Sequence, residues 1–194
     1  MTITAVQVGP LGTNCYLVTS EKGNTLIIDP GAEPETIVRV MARNGLRPVG
    51  ILLTHGHNDH IGAVEPLRNA LSLPVRMHRN DAQALQNPPD DYLEDGDRYS
   101  LDELAFEVMA VPGHTPGCVM FQCGSYLFSG DTLFAGSVGR VDLPGGNGAQ
   151  MWKSLQRIVQ HQWNDTIVLP GHGPETSMEL EMKRNPFLLQ VMET

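Results

Sequence analysis

The segment Thr54-His55-Gly56-His57-Asn58-Asp59-His60 places four metal-ligand side chains within the six positions His55 to His60. Imidazole nitrogen and carboxylate oxygen suit zinc, iron or manganese. In an extended loop alternate residues point the same way, so His55 and His57 can meet one ion. Asp59 and His60 then turn into a following helix and can face a second. The competing explanation is a histidine-rich surface loop, which a single His would favour. Four ligand side chains directly after an apolar strand favour a metal site. Three more candidates share one local pattern of apolar strand, glycine and ligand. His114 lies in Val111-Pro112-Gly113-His114-Thr115-Pro116-Gly117, Asp131 in Phe128-Ser129-Gly130-Asp131-Thr132, and His172 in Leu169-Pro170-Gly171-His172-Gly173. The glycine lets the backbone turn sharply beside the ligand. Five of the seven histidines fall in these settings. His78 and His161 read as ordinary strand-end and helix residues.

Ligands need rigid elements behind them. Pro48–Leu53 is apolar enough for a buried strand ending at Thr54. Residues 2–8, 13–19 and 25–28 read as earlier strands, and Pro34 to Gly45 as a helix between its preferred first-turn and terminating residues. A second helix is expected from Ile61 to about Leu71, disturbed by Gly62 and Pro66. Pro74–His78 reads as a strand and Asp81–Leu85 as a small helix. Gln86–Ser100 is Pro- and Asp-rich and reads as loop. Residues 104–111, 119–123, 126–129 and 166–169 read as strands, and Thr132–Gly148 as a long glycine-rich surface loop of the functional kind. Met151, Trp152, Leu155, Ile158 and Val159 mark an amphipathic helix. A last helix over Met178–Arg184 is stopped by Asn185-Pro186. Interleaved strands and helices predict an α/β chain.

Composition narrows the function. A chain of 194 residues suits one domain spanning 1–194, and 41% hydrophobic content is too high for a disordered chain. Thirteen Lys and Arg against 22 Asp and Glu give a formal net charge of −9. That balance argues against a nucleic-acid partner or a basic membrane-surface protein, since both need positive charge to meet phosphates. The first residues carry no positive charge ahead of an apolar stretch, so no secretory signal is expected. No apolar run is long enough to span a bilayer. The three cysteines are an odd number without CxxC spacing, which fits a reducing compartment. A soluble cytoplasmic protein is the expectation.

His55-x-His57-x-Asp59-His60 followed by His114, Asp131 and His172 resembles the full ligand set of the metallo-β-lactamase superfamily. The resemblance runs the length of the chain, including Ile28-Asp29-Pro30-Gly31. It is most similar to the glyoxalase II-like proteins of short bacterial form, through Thr13-Asn14-Cys15-Tyr16-Leu17-Val18, Gly130-Asp131-Thr132-Leu133-Phe134, the segment Val138 to Gly146, and Leu169 to Thr176. The resemblance implies a four-layer αββα sandwich with two divalent ions, zinc first and iron or manganese next. It puts His55, His57 and His114 on metal 1, and Asp59, His60 and His172 on metal 2. Asp131 would bridge them and Asp29 would orient a ligand from behind. Such ions, roughly 3.5–4 Å apart, lower the pKa of a shared water toward about 7 and make it a hydroxide nucleophile. Asp59 and Asp131 would be the catalytic carboxylates.

That chemistry fits hydrolysis of a small-molecule thioester, and the resemblance implies S-(2-hydroxyacyl)glutathione. A class B β-lactamase of the common type would carry cysteine at position 131. Two-domain glyoxalase II enzymes add a C-terminal helical domain whose basic residues hold the glutathione carboxylate, whereas only Met178–Thr194 follow the last motif here. Arg140 corresponds to a basic substrate-contact position and could hold a carboxylate bidentately. A surface or structural role for Arg140 is the equal alternative. The competing enzyme class is the persulfide dioxygenases, which share the motif and the Gly139-Arg140-Val141-Asp142 segment. They use one iron on the equivalents of His55, His114 and Asp131.

Overall fold

The computed structural model describes residues 1–193. Two mixed six-stranded sheets face one another. In the first, β1 (Thr2–Val8), β2 (Thr13–Thr19), β3 (Asn24–Ile28), β4 (Arg47–Leu52), β5 (Val75–His78) and β6 (Asp91–Leu93) lie in sequence order. Antiparallel pairing through β3 gives way to parallel pairing from β3 to β6. The second sheet uses β7 (Arg98–Leu101), β8 (Leu104–Ala110), β9 (Val119–Cys123), β10 (Tyr126–Gly130), β13 (Ile167–Pro170) and β14 (Thr176–Ser177). They lie in the order β14-β13-β10-β9-β8-β7, with β10 and β13 parallel. A short antiparallel pair, β11 (Leu133–Phe134) and β12 (Ser137–Val138), stands apart.

Alternation along the strands explains the layers. In β2, Cys15 and Leu17 face the helices α1 (Pro34–Arg43) and α3 (Val64–Leu71), whereas Tyr16 and Val18 face the other sheet. In β9, Val119, Phe121 and Cys123 point between the sheets and Met120 points outward. That outward face is covered by α4 (Gly148–Gln160), α5 (Met178–Arg184) and α6 (Pro186–Met192), through Met151, Leu155, Ile158, Met178, Leu188 and Val191. Three apolar clusters between four layers make the αββα sandwich that the resemblance implied. Phe106, Phe121 and Phe128 are fully buried in the middle cluster, and each such ring contributes roughly 1.5–3 kcal/mol.

Several local expectations need correction. The stretch Gln86–Ser100 is not all loop, for it holds β6 and β7. These are edge strands of three and four residues, too short for their alternation to stand out. The helix expected over 61–71 is split into α2 (Asn58–Ile61) and α3. Pro66 sits in the first turn of α3, where its missing N–H costs nothing. The small helix is a 3-10 turn over Arg79–Ala84. The long loop after Asp131 contains the β11–β12 pair. Asn185-Pro186 stops α5 and also starts α6, with the Asn185 side chain accepting the N–H groups of Phe187 and Leu188 and proline at the first helical position.

Candidate metal centre

All four ligand-bearing segments leave their strands at one end of the sandwich. His55 follows β4, His114 follows β8, Asp131 follows β10, and His172 follows β13. Backbone hydrogen bonds stitch the sheets together there: Val119 N donates to Thr54 O at 2.9 Å, and Asn14 N to Gly171 O at 2.8 Å. Tyr16 Oη and Asn14 Nδ2 both donate to Pro170 O, at 2.7 and 3.0 Å, and fix the approach to His172.

The seven expected ligands come together. His55, His57 and His114 form one group of donor atoms within 4.8 Å of one another, and Asp59, His60 and His172 form another. His57 has extended backbone and caps α2, so His55 and His57 look one way while Asp59 and His60 turn into the helix. Asp131 lies between the groups. Its Oδ2 is 3.4 Å from His114 Nε2 and 3.5 Å from His172 Nε2, and its Oδ1 is 3.3 Å from His60 Nε2. His78 and His161 lie outside both groups. His78 accepts the N–H of Asn80, and the ring of His161 sits 4.3 Å from that of Trp163.

The outer contacts fix which nitrogen of each ring faces inward. His114 Nδ1 donates to Arg140 O at 2.7 Å, and His172 Nδ1 to Leu11 O at 3.2 Å. His60 Nδ1 lies 2.9 Å from Asp29 Oδ2. Buried Asp29, at φ +51°, also takes the backbone N–H of Thr54 at 2.8 Å and the Thr54 hydroxyl. Asp29 therefore acts behind His60 and behind the residue preceding His55. This also accounts for its appearance with His55 and His60 in a third group of donor atoms.

Asp81 is a residue the sequence did not single out. It is buried and accepts from Gly56 N, Thr115 Oγ1 and Gly117 N. The exposed guanidinium of Arg140 pairs bidentately with Asp142, both bonds at 2.7 Å, while its carbonyl orients His114. Lys183 pairs with Glu179 on the solvent face of α5.

The donor set fits divalent metal on its own geometry. Buried His55 Nε2, His114 Nε2 and Asp131 Oδ1 have no hydrogen-bond partner among the described residues, and such orphaned atoms are costly unless a ligand meets them. Burial and the neighbouring rings hold His55 well below the ordinary histidine range, which leaves it neutral and able to bind. Burial likewise lowers His57. Burial raises the pKa of Asp59 and of Asp131, but the neighbouring imidazoles of His172 and His60 respectively outweigh it, and both carboxyls lie below their usual range. The free cysteines are buried, which pushes the thiols up, to about 12 for Cys118 and about 11 for Cys123.

Fold and site together define a metal-binding member of a known class: residues 8–172 match the metallo-beta-lactamase superfamily, and the chain belongs to it. Among its relatives, the probable metallo-hydrolase YqgX of Bacillus subtilis is 36% identical over 93% of this chain and 94% of its own length. Hydroxyacylglutathione hydrolase GloC of Haemophilus influenzae is 30% identical over 97% of this chain and 98% of its own. The crystal structure of TTHA1623 in a di-iron-bound form is 44% identical over 95% of this chain and all of that one, with a TM-score of 0.83. No helix among the described residues is long and apolar enough to cross a membrane.

Proposed function

We propose that the protein is a metal-dependent hydrolase of thioesters, with S-(2-hydroxyacyl)glutathione as the reference substrate. The observation that carries this reading is Asp131, whose two carboxylate oxygens face both ligand groups. Two divalent ions held there would supply a water activated at neutral pH and a Lewis acid for the scissile carbonyl. Zinc or iron suits the set of histidines and carboxylates, and the di-iron relative supports iron as one occupant. Asp59 is held through Oδ2 by Thr13 Oγ1 at 3.2 Å, and its other oxygen would orient the activated water. The cysteines, with raised pKa values, are poor nucleophiles, so attack by water is the simpler route. Relatedness to GloC supports the thioester class. Three free thiols suit a cytoplasmic setting.

A second reading rests on a specific observation. Three of the orphaned buried atoms belong to His55, His114 and Asp131, a two-histidine, one-carboxylate set suited to a single iron and O₂ chemistry. The gathering of Asp59, His60 and His172 favours the two-metal hydrolase. Metal analysis of the purified protein with two assays decides between them. About two metals per chain with thioester loss is the expected result. One iron with oxygen uptake on glutathione persulfide would overturn it.

A further inference from the structure

Beside the metal centre runs a groove of about 270 Å³. We propose that it binds the thiol-carrier arm of the substrate and selects an uncharged, amide-bearing chain. This rests on the thioesterase reading and replaces glutathione in it by a neutral carrier.

The groove shares His57 with the first ligand group, so a chain lying in it begins at the reacting centre. Asn80, Gln83 and Ala84 of the 3-10 turn line it together with Pro116 and Pro144. Asn80 and Gln83 are exposed amides, each with donor and acceptor capacity for a peptide-like partner. Asn80 Nδ2 donates to Pro116 O at 3.3 Å, which fixes that side chain at the groove.

Charge decides the class of ligand. Among the described residues, no lysine or arginine lines the groove. Its one acid, Asp81, is saturated: Oδ2 takes Gly56 N at 2.9 Å and Thr115 Oγ1 at 2.6 Å, and Oδ1 takes Gly117 N at 2.7 Å. Neighbouring Arg79 is committed to Glu94 at 2.6 Å and to the ring of Tyr92. An arm carrying carboxylates would lose water here without gaining a cation. A neutral amide chain loses less and meets matching groups. Two apolar residues stand next to His172. Leu11 there is 67% exposed, and the ring of Phe134 lies 6.4 Å from that of His172. They suit the acyl portion and leave the groove to the carrier. The groove volume falls just below the roughly 300 Å³ at which pockets begin to enclose a drug-sized ligand, so it takes an arm and leaves any bulkier head group outside.

Calorimetry on the metal-loaded protein with two thioethers, which cannot be hydrolysed, tests the proposal. S-propylpantetheine has a neutral diamide arm, and S-propylglutathione has an arm ending in carboxylates. The expected result is binding of the pantetheine thioether at least about tenfold tighter. Gln83→Ala, at an exposed position, is expected to weaken it by about three- to tenfold, the worth of one hydrogen bond. Ala84→Leu, which fills the groove, is expected to weaken it further. Tighter binding of the glutathione thioether, no binding of either, or an unchanged Kd in Gln83→Ala would overturn the proposal. Turnover of the corresponding S-acetyl thioesters is scored separately. If neither is hydrolysed while the thioether still binds in the groove, the hydrolase reading fails and the subsite stands.

Discussion

The Asp81 carboxylate accepts the backbone N–H of Gly56 at 2.9 Å, at the residue lying between His55 and His57. The same carboxylate takes Thr115 Oγ1 and Gly117 N, just beyond His114. One side chain from outside the ligand set thus joins the two loops that supply three histidines. Gly117 gives it room, since a Cβ there would lie 2.6 Å from Asp81 Cγ. Asp81→Ala would leave those donors unpaired and is expected to weaken metal binding by about 10- to 100-fold, as loss of an outer-contact residue does. Competition against a chromophoric chelator measures this. An unchanged affinity would remove Asp81 from the metal centre.

Asp131→Ala removes the one carboxylate that faces both ligand groups. Bound metal is expected to fall below half of the unmutated value and thioester turnover to drop by at least about 1000-fold, since the metal contribution is lost with its ligand. Metal content by mass spectrometry and a thiol-release assay follow the two quantities. Full metal with normal turnover would refute the bridging role.

The ligand set was legible because each member sits at a strand end with a distinctive local pattern, and five histidines cannot all be turn residues by chance. The layers followed from the resemblance; alternation within β2 and β9 is consistent with them, but would not alone have counted the sheets. Asp81 was illegible. A single Asp in the polar run Arg79-Asn80-Asp81 has no pattern, and its partners are backbone groups 25 and 36 residues away. Helix α6 was hidden because Asn185-Pro186 stops one helix and starts another with the same residues. Of the three glycines read as turning the chain beside a ligand, Gly113 at φ +153° and Gly130 at φ +50° have backbone that favours glycine, whereas Gly171 leaves space for Asp131 and His60.

Proton release on metal binding follows from His60. Burial alone would lower its pKa, but the neighbouring carboxylates of Asp131 and Asp29 outweigh this and raise it from near 6.5 to about 10 in the metal-free protein. A raised folded-state pKa favours the protonated form, so this group stabilises the metal-free fold fully below pH 6.5 and stops doing so as pH rises through about 10. A metal needs the Nε2 lone pair and displaces that proton. Zinc titration at pH 8 in buffers of different ionisation enthalpy is expected to show about one proton released from His60. Affinity should rise with pH across this range. Zero proton release would contradict the pairing.

Arg140 and Asp142 make a test of carboxylate recognition. Asp142 takes the Nε and Nη2 side of the guanidinium, so a substrate carboxylate must compete with it for that bidentate edge. If Arg140 contributes to glutathione binding, Asp142→Asn frees it and lowers KM for a glutathione thioester by about two- to fivefold, the scale of an exposed ion pair. Arg140→Ala should then raise KM. Equal KM values in both variants would assign Arg140 to orienting His114 through its carbonyl, a contact that neither substitution removes.

Gly171→Ala tests whether space beside the ligands is as important as the ligands. The φ of Gly171 lies outside the left-handed region, so backbone strain is not the issue. A Cβ at this position would lie 2.3 Å from Asp131 Oδ1 and 2.6 Å from His60 Cε1, well inside contact distance. Neither neighbour can retreat easily: His60 is fully buried and pinned by Asp29, and the Gly171 carbonyl accepts Asn14 N. The methyl group must therefore displace a carboxylate and an imidazole from their metal-facing positions. Misplacement of reacting groups by about 1 Å can cost on the order of 100-fold in rate. Turnover is expected to fall by at least that factor, with metal content reduced and the far-ultraviolet dichroism retained. Serine at 171 should behave the same way, because it adds the same Cβ. A variant with normal metal content and rate would show that the loop after β13 relaxes without disturbing Asp131, and would weaken the case that both ligand groups depend on that carboxylate's position.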